Sequence, residues 1–361
     1  MVKVKIYHQA ERKVKVALSV CPFPIFLFCL FIFIPNMAEA QKTIVADSVI
    51  KKTVTQLQDL SKQVDDKLVA RYYKTRYDTN YVDRPYQKWL LRFLVNHTGN
   101  NIHTKGTVNG LLSDHDLHTS SASLSLEVNY CDVSVSLSIR PDNKDDYVFN
   151  FEYYGQRFSV NFNYQRAKSL TGDVVWGDTK HIGDNSLLMK VYDVAAYYTF
   201  NNRQFSFPAA LNQNYFQRRS AGSWLAGISL QTGSIKTTDE MKKHSPEAPE
   251  THLTFTNFGI GGGYGYNWVP DRQSQWLLHL SALPTFVVYK QNKLSVNDYE
   301  VKENNLGFNM ILNNRAAVVY HISPRYNVGA TFTMSTPLFN NDKVVVNQTK
   351  WLLRAFFGLR L

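Results

Sequence analysis

The feature that most constrains this chain is a strict alternation of apolar and polar residues, recurring from about residue 87 to the end. Leu124, Leu126, Val128 and Tyr130 alternate with Ser123, Ser125, Glu127 and Asn129. Val133, Val135, Leu137 and Ile139 alternate with serines at 134, 136 and 138. The same pattern runs through Tyr147–Tyr153, Phe158–Tyr164 and Tyr326–Ser335. A period of two gives a strand one apolar and one polar face, whereas a helix needs 3.6. Twelve such runs lie near 87–95, 122–130, 132–139, 147–154, 157–164, 188–200, 222–231, 252–266, 274–289, 306–322, 325–335 and 349–361. Several exceed the usual length of strands in soluble domains.

The connections between these runs alternate in length. Polar stretches at 96–121, 165–187, 232–251 and 290–305 are long, while turns near Cys131, Gly155-Gln156, 267–271 and Ser323-Pro324 are short. Long loops on one side and short turns on the other are the pattern of a transmembrane antiparallel barrel. The expectation is therefore an all-β, antiparallel transmembrane β-barrel of about twelve strands. One connection, 201–221, should be a short turn and is not. An extra strand pair there raises the count to fourteen. Aromatics gather toward strand ends, among them Trp89, Tyr130, Tyr198, Trp224, Trp268, Trp276 and Trp351. Tyr and Trp suit a boundary where one end of the side chain is apolar and the other wet. A soluble β-sandwich also alternates, but its strand tips carry fewer such residues.

Hydrophobic residues make up 44% of the chain and charged ones 19%. That is too apolar and aromatic for a disordered chain, and mean hydropathy of −0.29 is too polar for a bundle of membrane helices. Residues 1–40 read as a signal peptide: a basic start, an apolar run from Val16 to Ile34, and Ala38-Glu39-Ala40 before Gln41. Cleavage near Ala40 removes five Lys/Arg and two Asp/Glu and lowers the formal charge from +11 to +8. It leaves Cys131 as the one thiol, so no intrachain disulfide framework holds the mature chain. The basic charge lacks any nucleic-acid recognition motif, and nucleic acid is not an expected partner. Residues 41–86 are expected to form an N-terminal periplasmic segment. Ile50, Val54, Leu57, Val64 and Leu68 recur at helical spacing over Asp47–Val69. Residues 87–361 form the barrel.

Several segments resemble an uncharacterised Bacteroidetes family of predicted outer-membrane barrels, a domain of unknown function. They include Tyr77-Asp78-Thr79-Asn80-Tyr81, Tyr197-Tyr198-Thr199-Phe200-Asn201, Phe205-Ser206-Phe207-Pro208-Ala209-Ala210, Gln217-Arg218-Arg219-Ser220-Ala221-Gly222-Ser223 and Gly262-Gly263-Tyr264-Gly265-Tyr266-Asn267-Trp268. The resemblance implies location and fold, and it brings no catalytic role. The odd-numbered apolar residues from Trp351 to Leu361 form a final strand resembling the signal for outer-membrane assembly machinery. Lipid, that machinery and no second protomer are the expected partners.

If the apolar faces meet lipid, the lumen receives Arg92, Glu127, Asn129, Asn150, Glu152, Asn161, Asn163, His279, Ser281, Asn309, Arg315, His321 and Arg354. An arginine on the lipid face would cost roughly 2–4 kcal/mol at midplane. A closed hydrogen-bonded interior, with Glu127 and Glu152 paired to arginines, comes before a water-filled channel. The role expected first is structural or passive transport. A hydrolase acting on lipid or lipopolysaccharide is the alternative, resting on His279, Ser281 and His321. His279 and Ser281 share a face, about 7 Å apart along the strand, too far for direct contact. A soluble secreted ligand-binding β protein is a third class. His115 and His118 with Asp114 and Asp116 carry metal-binding residue types, but a solvated loop explains them, and no metal or cofactor is expected. The Gly259–Gly265 run lacks the Lys-Ser/Thr ending of a phosphate loop. Arg203, Gln217, Arg218 and Arg219 mark residues 201–223 as a candidate constriction or partner segment.

Overall fold

The computed structural model describes residues 47–361, apart from 75, 109, 144, 177–178, 183–184, 245, 247–248, 298, 304–308 and 340–344. The expected signal peptide lies outside the described residues. The chain divides into two compact units, one ending at Thr75 and one spanning Arg76–Arg360. In the first, helix α1 (Asp47–Lys74) continues five residues past its expected end, through Ala70-Arg71-Tyr72-Tyr73-Lys74. Arg71 and Lys74 sit in its last turn, where cations complement the helix dipole. Among the described residues no helix is long and apolar enough to cross a membrane.

The second unit is the β domain. Its elements in chain order are β1 (Val82–Asp83), β2 (Trp89–Val108), β3 (Leu111–Tyr130), β4 (Val133–Ile139), β5 (Tyr147–Tyr154), β6 (Phe158–Ala167), β7 (Thr171–Trp176) and β8 (Thr179–Ile182). Next come β9 (Leu187–Thr199), helix α2 (Phe207–Leu211), β10 (Phe216–Gln217), β11 (Ala221–Thr237), helix α3 (Asp239–His244) and β12 (Thr251–Trp268). The chain ends with β13 (Trp276–Val296), β14 (Tyr299–Glu303), β15 (Met310–His321), β16 (Tyr326–Phe339) and β17 (Val345–Arg360).

Each of the twelve expected runs is a strand, and each pairs antiparallel with its neighbours. The order is β2-β3-β4-β5-β6-β9-β11-β12-β13-β15-β16-β17, and β17 returns to β2 over Leu90–Lys105. This closes a twelve-stranded barrel on itself, which leaves the ring without an end strand. The count is twelve and not fourteen, because residues 201–223 add no barrel strand before Ala221. Closure of one sheet on itself also excludes a two-sheet sandwich.

The long polar loops are the main correction. Residues 96–121 are not a loop: β2 and β3 run on as a paired hairpin from Trp89↔Tyr130 to Val108↔Leu111. Residues 165–187 hold the β7–β8 hairpin, and β7 pairs with the part of β3 that the short β4 leaves uncovered. β14 adds to the far end of β13.

These extensions build a head on one end of the barrel. Ile102, Leu117, Leu170, Val174, Trp176, Leu187, Met189, Val191, Ile235, Met241, Leu253, Phe255, Leu294 and Val296 pack as one buried cluster inside it. Outward positions there are polar, for example Asn101, Asp116 and His118. Below the head the pattern inverts. Along β9 the inward series passes from Met189 and Val191 to Asp193, while Tyr192 and Val194 are exposed. This lower belt exposes Leu124, Leu126, Ile228, Ile260, Leu280 and Val318 outward. Trp224, Trp268, Trp276, Tyr264, Tyr266 and Tyr326 are exposed toward its short-turn end.

Candidate functional site

Inside the belt the bore is polar. Arg92 and Glu127 face each other across β2 and β3, each 1% exposed. The Arg92 Nε donates to Glu127 at 2.9 Å, and Asn129 donates to the same carboxylate at 2.9 Å. A ladder of amides and hydroxyls runs sideways from this pair. Asn96 reaches Ser123 and Ser138, Ser125 reaches Ser138, and Asn150 bridges Ser136 and Asn163. Glu152 and Arg354 approach to 3.7 Å, Arg315 donates to the Tyr197 hydroxyl, and Lys350 pairs with Asp193 at 2.5 Å. All of the expected lumen residues face the bore or are buried at its ends.

The short-turn end is closed by a segment the sequence marked without resolving. Every residue from Phe205 to Tyr215 is buried. Ser206 caps the single turn of α2 by accepting from the Ala209 N–H at 3.2 Å, and Pro208 sits in its first turn, where no N–H is needed. The segment is tethered on all sides. Arg92 donates to the Leu211 carbonyl at 3.0 Å and to the Gln213 side chain. Arg360 donates to the Gln213 carbonyl at 2.8 Å, Asn212 to Ser134, and the Tyr215 hydroxyl to Asp132 at 2.8 Å. Asn267 donates to the Ser206 carbonyl and to Gln217. Gln213 adopts the left-handed region at φ 56°, which turns the chain back toward the rim. β1 and β10 then form a two-residue ribbon, in which Val82 and Asp83 pair with Gln217 and Phe216 just after the plug.

Of the expected constriction residues, only Gln217 is buried; Arg203, Arg218 and Arg219 are exposed at the rim. Arg218 pairs there with Asp83. The bore is occupied instead by Phe207, Leu211, Asn212, Gln213 and Tyr215, which lie inside the 201–223 segment but are none of its four marked polar residues. The signal that marks them is the excess length of a connection on the short-turn side. Glycines make room for the plug: a Cβ on Gly265 would lie 3.1 Å from the Phe205 ring.

His279 and Ser281 require a correction. The imidazole reaches along the strand and closes the 7 Å gap: its Nε2 lies 3.0 Å from the Ser281 Oγ. Its Nδ1 lies 2.7 Å from the Oδ1 of Asn267, the cross-strand partner on β12. The Asn267 Nδ2 already donates twice, so Oδ1 must accept. His279 therefore donates from Nδ1, and its Nε2 accepts from Ser281. This is a Ser-His-Asn chain, but Phe205 and Phe207 pack on the imidazole, with centroids at 6.0 and 5.5 Å. His321 does not join it and packs against Phe216 instead.

The four metal-type residues of the first hairpin are also split. In strand β3 His115 points into the head, bonded to Ser113 at 3.1 Å, while Asp116 and His118 are exposed outside. Burial pushes the His115 imidazole down to about 4.

Between plug and head lies a cavity of about 270 Å³, floored by Leu211, Tyr154 and Tyr197 and walled by Asn150, Asn161, Asn163, Asn313 and Thr331.

A family described as a domain of unknown function (DUF4421) matches residues 76–360. No curated protein matches the chain. Among solved structures, the outer membrane protease OmpT from Escherichia coli is similar at 6% identity and a TM-score of 0.36, over 77% of this chain and 97% of that one. The translocator domain of autotransporter NalP from Neisseria meningitidis gives 9%, 0.30, 88% and 100% in the same order. The outer membrane protein OprG from Pseudomonas aeruginosa gives 11%, 0.25, 79% and 99%.

Proposed function

The chain belongs to the domain-of-unknown-function family DUF4421, and from that premise and the barrel geometry we propose that it is an outer-membrane β-barrel of a Gram-negative bacterium whose bore is closed at rest. One observation carries this. Large apolar side chains stand exposed around the belt, Trp224 at 68% and Leu280 at 66%, while Arg92 and Glu127 are buried inside. In water that arrangement is inverted; in a bilayer it places apolar groups against acyl chains and charge away from them. The short-turn end faces the periplasm, where α1 also lies after removal of residues 1–40. The head faces outward. Strand β17 is the element offered to the assembly machinery, the barrel is a monomer, and the segments quoted above support a Bacteroidetes origin.

Membrane fractionation followed by gel electrophoresis with and without boiling tests this. The expected result is an outer-membrane protein whose mobility changes on boiling. A chain freely soluble without detergent overturns it. In planar bilayers the intact protein carries no steady current, whereas a variant lacking Phe205–Tyr215 conducts. Steady conductance by the intact protein favours passive transport through a mobile plug.

A second reading, hydrolysis of lipid or lipopolysaccharide, is favoured by the Ser281-His279-Asn267 chain. Nucleophilic attack needs a hydroxyl that substrate can reach, and here the plug covers the imidazole. A lipid profile unchanged by deletion of the whole protein removes this reading. Lipid cleavage lost in Ser281→Ala establishes it.

A further inference from the structure

The charges lining the cavity do not balance. Arg315, Lys350 and Arg354 face Glu152 and Asp193. Lys350 and Asp193 satisfy each other. Glu152 remains for two guanidinium groups, and at 3.7 Å its contact with Arg354 is too long for a hydrogen bond. Arg315 spends one Nη2 donor on the Tyr197 hydroxyl at 2.6 Å, and its guanidinium carbon lies 4.4 Å from the centre of that ring. Among the described residues its other donors, and all five of Arg354, have no protein acceptor. A guanidinium is always charged and offers planar paired donors that match an oxyanion. Inside the bore, where Arg354 is 14% exposed, such a match is stronger than at an open surface.

The rest of the wall is neutral. Asn150, Asn161 and Asn163 present amides, and Tyr154 and Tyr197 present rings. Amides and ring faces suit a molecule that carries several hydroxyls. The volume of about 270 Å³ leaves room for one sugar ring with its substituents.

We propose that the bore is a binding site for a small hydroxylated oxyanion, a sugar acid or sugar phosphate. Its acid group docks on Arg315 and Arg354, and its hydroxyls meet the amide wall. The proposal rests on the closed-barrel reading.

The test uses the full chain refolded into detergent micelles with the sugar already present, so that passage into the bore does not limit occupancy. Equilibrium dialysis then compares glucuronate, glucose 6-phosphate and glucose. At least one acid is expected to bind tenfold or more tighter than glucose, and the preferred acid shows whether carboxylate or phosphate is favoured. Arg354→Gln is expected to abolish that preference, and Arg315→Lys, which keeps charge but loses the planar fork, to weaken it about threefold or more. Arg218→Gln at the rim is expected to leave it intact. Acids binding no better than glucose, or a preference surviving in Arg354→Gln, overturn the site. Boiling-dependent mobility is measured on every preparation. A shifted band without acid preference refutes the site alone, and an unshifted wild-type band refutes the closed barrel beneath it.

Discussion

The head and the belt are built from the same strands yet obey opposite solvents. In the head, Ile102, Leu117 and Leu253 point inward and Asn101, Asp116 and His118 outward, as in any water-soluble domain. In the belt, Arg92, Glu127 and Asn150 point inward and Leu124, Leu126 and Leu280 outward. On β9 the switch takes two residues, from Val191 to Asp193. The contrast teaches that the alternation defines faces, and the surroundings decide which face is the inside. On the outer-membrane reading proposed above, the level of the switch is where the bilayer ends.

The largest test of this contrast removes a charge from the belt interior. Glu127→Leu leaves Arg92 buried without its carboxylate, which costs about 3–5 kcal/mol. Denaturant refolding into micelles, followed by gel mobility, should show that loss. Next comes the outer surface. Leu126→Arg in the belt should destabilise the barrel by about 2–4 kcal/mol, whereas Asn101→Arg on the outside of the head should change stability by less than about 0.5 kcal/mol. Equal costs at the two positions would show that the belt does not face lipid. A third test uses pH. The buried imidazole of His115 binds a proton only near pH 4, the unfolded one near 6.5. As pH falls through that window the unfolded state gains the proton first, so head stability declines. Hydrogen exchange of head amides should report this, and His115→Gln should flatten it while belt amides stay unmoved.

The same contrast explains what the sequence made legible. Belt strands announce themselves because their apolar residues are dense and regular, as from Leu124 to Tyr130. The first hairpin hides within 96–121 because its inward Ile102 and Leu117 are set among Asn, Thr, Ser and His. Short apolar sets inside a polar run look like a loop until cross-strand pairing joins them to a cluster. The plug was visible as excess length flanked by arginines, but its path was not, since Phe205–Tyr215 follows no period and owes its place to partners more than a hundred residues away, Arg92 and Arg360. The lumen residues were assignable from phase alone. The contact between His279 and Ser281 was not, because strand geometry spaces backbones and not the tips of long side chains.

Two of the arginines holding the plug grasp its main chain, Arg92 at the carbonyl of residue 211 and Arg360 at the carbonyl of residue 213. A peptide carbonyl is offered by every amino acid, so these anchors do not depend on which side chain stands at 211 or 213. Relatives could thus vary that stretch and reshape the floor of the chamber without losing the fastening, as a lock keeps its bolts while the key changes.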